Sequence, residues 1–204
     1  MQGRLSPILD NKIQAFPEKY WQKEFLKIKK TGLNLIEWTL DYEKLNKNPL
    51  LSIIGKKKIK YLKKKYSVKI NSVTCDCFMQ KPFWKIEKNK KIINFLEKII
   101  IASGELKIKL IVIPLVDKGS IQSINQEKKL LKICESLKKI LKKNKVQIIF
   151  ESDYHPKKLG IFIKKFDRKY FGINYDTGNS ASLNYNMNHE FKYYGKRILN
   201  VHIK

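Results

Sequence analysis

A chain of 204 residues is long enough for one domain with a sizeable core, and it holds no run of about 18 apolar residues of the kind a membrane span requires. Its formal net charge is +26, yet every basic residue except Arg4, Arg168 and Arg197 is a lysine, so the charge reads as a solvated surface rather than a nucleic-acid face built on guanidinium forks. Cys75, Cys77 and Cys134 are too sparse and too odd a set for a disulfide framework, and with no apolar signal segment over Met1 to Pro7 they fit a cytoplasmic protein.

In chain order, Met1 to Ser6 predicts a first short strand with Arg4 near its end, followed by a loop from Pro7 to Pro17 carrying Gln14 and Phe16. Glu18 to Lys30 sets Trp21, Phe25 and Ile28 at helical spacing, and Gly32 is a fitting stop. Leu33 to Ile36 predicts the second strand, ending in Glu37 and Trp38. Leu50 to Tyr66 predicts a basic helix with Ile54, Ile59 and Leu62 on one side. The third strand, Val68 to Thr74, ends in Cys75-Asp76-Cys77, with both cysteines on the same side and packing rather than binding zinc. A loop rich in large apolar groups, Phe78 to Trp84, leads to a helix over Lys90 to Ser103. The fourth strand, Leu110 to Pro114, closes on Asp117.

Gln126 to Lys143 is the most periodic segment, with Leu130, Ile133, Cys134, Leu137, Ile140 and Leu141 following the helical spacing. The fifth strand, Val146 to Phe150, ends in Glu151, and the loop after it carries His155. Leu159 to Phe166 marks the next helix. The sixth strand, Phe171 to Tyr175, delivers Asp176, after which a Gly-Asn turn bends the backbone away. Ala181 to Tyr194 reads as a loop and a short helix, and the seventh strand, Ile198 to Val201, runs into His202. Strand–helix alternation along the whole length predicts an α/β fold with a parallel sheet, arranged as a (β/α) barrel of one domain over residues 1–204. No glycine-rich phosphate loop follows the first strand, so a nucleotide fold has no support.

The evenly spaced Glu151, Asp176 and His202 stand at the ends of three successive strands. Oxygen and nitrogen ligands so placed predict a metal site at the mouth of a parallel barrel. Seven strands are countable, and an eight-unit barrel takes about 250 residues. The expectation is therefore a C-terminally truncated copy of a longer protein, lacking the eighth unit.

The residues that carry a family resemblance are Met1-Gln-Gly-Arg-Leu-Ser-Pro7, Ile36-Glu-Trp38, Asp76-Cys-Phe-Met79 with Pro82-Phe83, Val112-Ile-Pro114 with Asp117, Glu151-Ser-Asp153, Gly172 to Ser182, and Asn200-Val-His-Ile-Lys204. On these the chain resembles the sugar phosphate isomerase/epimerase family of xylose isomerase-like TIM barrels, along its full length. The resemblance implies a divalent metal (Mn, Mg, Co or Zn) held by Glu151, Asp176, His202 and a second glutamate expected past Lys204. It also implies that Glu151 is one of a catalytic acid/base pair, so that a chain ending here would be catalytically crippled. Moving a carbonyl, or inverting the centre beside it, requires proton removal next to C=O. A metal stabilises the resulting enediolate, and a carboxylate base contributes roughly 10²–10⁴-fold.

Around that site stand further substrate-binding candidates, each with a plainer alternative. Arg4 meets a substrate oxygen or phosphate, or forms a structural ion pair. Glu37 and Trp38 line the mouth, or Trp38 belongs to the core. Asp76 and Asp117 end strands and are placed to contact substrate. His155 follows Glu151 by four residues in the loop and contacts substrate or is incidental. Asn179 falls where some relatives carry a substrate-touching histidine, and it either donates an amide hydrogen bond or only forms the turn. The expected partner is a small sugar or sugar phosphate in carbohydrate metabolism, with no membrane, nucleic acid disfavoured, and a homo-oligomer left open. The alternatives are a polyol dehydratase, a truncated non-catalytic remnant, and an endonuclease-like member of the superfamily. The last needs a three-zinc cluster that three histidines, His155, His189 and His202, are too few to build.

Overall fold

Strands β1 (Leu35–Thr39), β2 (Lys69–Thr74), β3 (Leu110–Leu115), β4 (Gln147–Ser152), β5 (Phe171–Asp176) and β6 (Ile198–His202) form one parallel sheet in sequence order. The computed structural model describes residues 3–8 and 15–203. Helices α1 (Trp21–Lys30), α2 (Ile53–Tyr66), α3 (Asp76–Gln80), α4 (Lys90–Glu105), α5 (Ile124–Asn144), α6 (Pro156–Lys164), α7 (Thr177–Ser182) and α8 (Met187–Tyr194) supply the connections. This is the α/β architecture that the alternation predicts, an incomplete parallel barrel. Among the described residues no helix is long and apolar enough to cross a membrane.

Six strands, not seven, are found among the described residues. Gly3 to Leu5 form a turn and Ser6 a bend where a first strand was expected, and Met1, Gln2 and Gln14 lie outside the described residues. The reason is visible in α1. Gly3 adopts φ +89°, and its N–H donates to Glu24 Oε2 at 2.8 Å. Ser6 Oγ donates to Glu24 Oε1 at 2.7 Å, and Lys27 Nζ donates to the Leu5 carbonyl. Polar groups satisfied by helix side chains have no need of a strand ladder.

Alternation along each strand divides the molecule into two environments. One set of side chains, among them Ile36, Trp38, Val73, Ile111, Ile113, Ile148, Phe150, Phe171 and Ile173, is buried under the helices in a single apolar cluster with Phe25, Ile59, Leu96, Leu137 and Phe162. Phe150 sits at its centre, with ring contacts to Phe162, Phe166 and Phe171. The opposite set lines the inside of the curl and is largely polar: Glu37, Ser72, Thr74, Glu151, Asn174 and Asp176 are all buried.

Helix α2 departs from the expected facing. Ile59 and Leu62 are buried as predicted, but Ile54 is 82% exposed. Gly55 takes the inward position at this end, because a Cβ there would stand 2.1 Å from the Pro49 carbonyl oxygen. The short 3₁₀ turn Pro49–Leu51 therefore abuts the helix backbone directly.

A second close approach brings the site together. Gly172 on β5 faces β6, where a Cβ would meet Leu199 Cδ1 at 2.6 Å and the Arg197 carbonyl oxygen at 2.9 Å. Gly172→Ala must push β6 outward or strain β5. We expect a loss of about 1–3 kcal/mol in urea-induced unfolding, the usual cost of overpacking a tight contact. An unchanged unfolding midpoint would show that β6 yields freely.

Candidate functional site

Three strand ends converge where β4, β5 and β6 finish. Glu151 is buried at the end of β4, Asp176 closes β5, and His202 closes β6. One ligand atom from each lies within 4.8 Å of the other two. The parallel register explains the convergence: Asp176 is aligned with His202, so the two side chains leave neighbouring strands at one level. His202 Nδ1 is 3.4 Å from Glu151 Oε2 and 3.5 Å from Asp176 Oδ2.

Asp176 has a double task. Its Oδ1 accepts the Asn179 N–H at 2.9 Å and caps α7, while Oδ2 faces His202. The segment after it is therefore a helical turn and not the simple Gly-Asn bend expected, since a strand-end aspartate is a good N-cap. Asn179 forms the turn, and its amide is turned onto a protein carboxylate. Its backbone shapes the turn, and its Nδ2 donates to Glu151 Oε1 at 2.7 Å.

A fourth ionisable group comes from the far edge of the sheet. Glu37 on β1 lies with Oε1 2.7 Å from His202 Nε2. Ser72 Oγ donates to its Oε2 at 2.5 Å, Thr74 Oγ1 donates to Oε1, and Asn200 Nδ2 donates to Oε2 at 3.3 Å. Burial alone would push the Glu37 carboxyl up, but the neighbouring imidazole and the two hydroxyl donors hold it below the usual carboxylate range. For His202 burial acts downward, and the neighbouring carboxylates of Asp176, Glu151 and Glu37 outweigh it, raising the imidazole from 6.5 to about 11. Three buried carboxylates around one ring thus demand positive charge at this spot. Two carboxylates and one imidazole, closely spaced, form a donor set that fits Mn²⁺, Mg²⁺, Co²⁺ or Zn²⁺.

The other expected residues divide. Asp76 and Asp117 line a cavity of about 240 Å³ with Thr74, Gln80, Pro114, Glu151, Asn179 and His202. Asp76 begins α3 and Asp117 begins a 3₁₀ turn, in left-handed backbone at φ +50°. Arg4 is exposed and lines an adjoining cleft of about 590 Å³ between β1 and β6, with Glu37, Asn200 and His202. Trp38 is turned away from the mouth. It is fully buried against Phe16 and Trp21, and its Nε1 donates to Asn48 Oδ1 at 2.9 Å. His155 caps α6 on the exposed outside, edge-on to Tyr185, in a groove with Glu127 and Lys165 rather than in the central cavity. Cys75 and Cys77 are buried, with Cys77 in the first turn of α3 rather than on a strand.

Asn174 and Asn200 were missed by the sequence reading. Asn174 Nδ2 donates to Glu151 Oε2 at 2.7 Å and lies 3.1 Å from His202 Nδ1, while its Oδ1 accepts from Asn200 Nδ2 at 2.8 Å. Each precedes a ligand-type residue by two positions, Asn174 before Asp176 and Asn200 before His202, so each shares its inward face. A polar residue two before a strand-end ligand was the available signal.

Comparison with known proteins agrees with the fold. The family model described as xylose isomerase-like TIM barrel matches residues 25–204. No curated protein matches the sequence. Among solved structures the chain is similar to the apo form of 3-keto-D-glucoside 4-epimerase from E. coli, with 17% identity and a TM-score of 0.72 over 93% of this chain and 76% of that one. It is also similar to D-psicose 3-epimerase from Clostridium cellulolyticum H10 with D-tagatose, with 14% identity and a TM-score of 0.73 over 90% of this chain and 67% of that one. A third similar structure is a protein from Mycobacterium smegmatis in complex with magnesium, with 16% identity and a TM-score of 0.67 over 89% of this chain and 64% of that one. At these identities the likeness to solved structures is one of fold.

Asn174→Ala tests the inner hydrogen-bond network. It removes a donor from Glu151 and an acceptor from Asn200, and we expect a loss of about 1–3 kcal/mol in urea unfolding without added metal. Val201→Ala, on the exposed face of the same sheet, should change stability by less than about 0.5 kcal/mol. Equal effects of the two would deny the network any weight.

Proposed function

This chain belongs to the xylose isomerase-like TIM barrel family, and from that premise we propose that it is a sugar or sugar-phosphate isomerase or epimerase dependent on a divalent metal. The observation that carries the reading is the convergence of Glu151, Asp176 and His202, with ligand atoms within 4.8 Å of one another at the ends of three strands. Active sites of parallel barrels lie at this face. In this reading residues 1–204 act as one domain.

Glu151, Asp176 and His202 would hold the ion, which when bound supplies Lewis-acid stabilisation of the charge that develops on the substrate oxygens. Glu151 is the proposed base. Its two oxygens are oriented by the Asn179 and Asn174 amides at 2.7 Å each, so the carboxylate plane is fixed before substrate arrives. It takes the proton from the carbon beside the carbonyl and returns it to the former carbonyl carbon on the same face, while the hydroxyl proton passes between the two neighbouring oxygens, which completes an isomerisation. Inverting a centre instead requires a second acid/base group on the opposite face. Asp76 and Asp117, lining the same cavity of about 240 Å³, are the carboxylates available for that among the described residues. That volume suits a small polyol, being just below the roughly 300–1,000 Å³ of common ligand pockets. Arg4 in the adjoining cleft, and the +26 charge at longer range, favour an anionic group such as a phosphate.

The three-zinc alternative is disfavoured by the placement of histidine, since His155 and His189 are both exposed and only His202 stands with Glu151 and Asp176.

Incubation with Mn²⁺ and a panel of ketoses and ketose phosphates in D₂O provides the test. One ion per chain should bind, and deuterium should enter the carbon beside the carbonyl of at least one substrate. Asp176→Ala should lose the ion, while Glu151→Gln should lose exchange by about 10²-fold or more. Stoichiometric metal without exchange on any substrate would end the enzyme reading in favour of a sugar-binding remnant.

A further inference from the structure

We propose that Glu37 is a positioning residue, which holds the Nε2–H of His202 and thereby presents the Nδ1 lone pair to the proposed ion. The inference rests on the metal reading above and assigns a role to a residue outside the ligand set.

Geometry separates the two ring nitrogens. Nε2 is 2.7 Å from Glu37 Oε1, a close ion-pair contact in which the ring N–H is not aligned on the oxygen. Nδ1 faces Glu151 Oε2 and Asp176 Oδ2 at the longer distances of 3.4 and 3.5 Å. Without an ion the ring carries a proton on each nitrogen; an ion would replace the one on Nδ1, and the neutral imidazole then has one N–H donor and one lone pair. The lone pair must be on the nitrogen that faces the other two ligand groups, which is Nδ1. The ring itself stands between Glu37 and those groups, so Glu37 acts through His202 and not beside it.

The asparagine pair gives independent support. Asn200 Nδ2 donates to Asn174 Oδ1 at 2.8 Å, which fixes the orientation of the Asn174 amide. Its Nδ2 therefore faces Glu151 Oε2 and His202 Nδ1, at 2.7 and 3.1 Å. A donor beside Nδ1 favours a lone pair there and the proton on Nε2.

Glu37 is built for the role. It is 8% exposed and fastened by the hydroxyls of Ser72 and Thr74 and the amide of Asn200. It has little freedom left to follow a substrate. Moreover, β1 and β6 are opposite ends of the sheet order and share no ladder. The Glu37–His202 contact is a side-chain bridge between those ends, so the curl of the sheet and the aim of the ring are set together.

Zinc binding by the full chain, with ¹⁵N NMR of the histidine rings, tests the assignment. Wild type loaded with Zn²⁺ should show His202 protonated at Nε2 and ligated through Nδ1. Glu37→Gln, nearly isosteric, should bind Zn²⁺ about 10–100-fold more weakly, the usual effect of losing a partner behind a ligating histidine. Thr74→Val, which loosens Glu37 without touching the ring, should give a smaller loss in the same direction and guards against a Gln variant that fails to fold. Unchanged affinity and an unchanged ring spectrum in both variants would overturn the positioning role while leaving the metal site intact. No zinc binding by the wild type would instead remove the metal reading, and the positioning role with it.

Discussion

The crowding of Glu37, Glu151 and Asp176 around His202 is the interaction on which the rest of this structure turns. Each carboxylate is buried, and a buried anion is tolerated only where charge or hydrogen bonds compensate it. Here the compensation is shared: amides on Glu151, hydroxyls on Glu37, a helix N-terminus at Asp176, and the ring in the middle. The same arrangement is one that the proposed cation would complete.

The scaffold makes that concentration possible by keeping its two faces chemically apart. Outward strand residues such as Phe150, Phe171 and Ile113 build one apolar cluster with the helices, and this cluster supplies the hydrophobic stabilisation. Inward residues are thereby released from the duty of packing and are polar at Ser72, Thr74, Asn174 and Glu37. Gly172 allows β6 to close on β5, which carries His202 to its place beside Asp176.

Charge acts on two scales. At long range the chain is strongly basic, with a formal net charge of +26 that is mostly lysine. At short range the site is acidic. A field of this kind draws an anionic ligand toward the protein, while the carboxylates at the strand ends select a cation once it is within a few ångströms.

Much of this was written in the order of residues. The alternation of apolar runs with helical periods determined the parallel α/β architecture, because each strand needs a connection long enough to return to the same edge. The even recurrence of Glu151, Asp176 and His202 at strand ends determined which side chains stand together, since parallel strands start and finish at common levels. Tertiary structure decided the remainder. Glu37 meets His202 only because the sheet curls, a distance of 165 positions that no local spacing encodes. Trp38 went to the core because its neighbour Glu37 took the inner face, and successive strand residues must alternate. The N-terminal segment became a turn because Glu24 on α1 satisfied its polar groups, a partner that a reading of the segment itself does not contain.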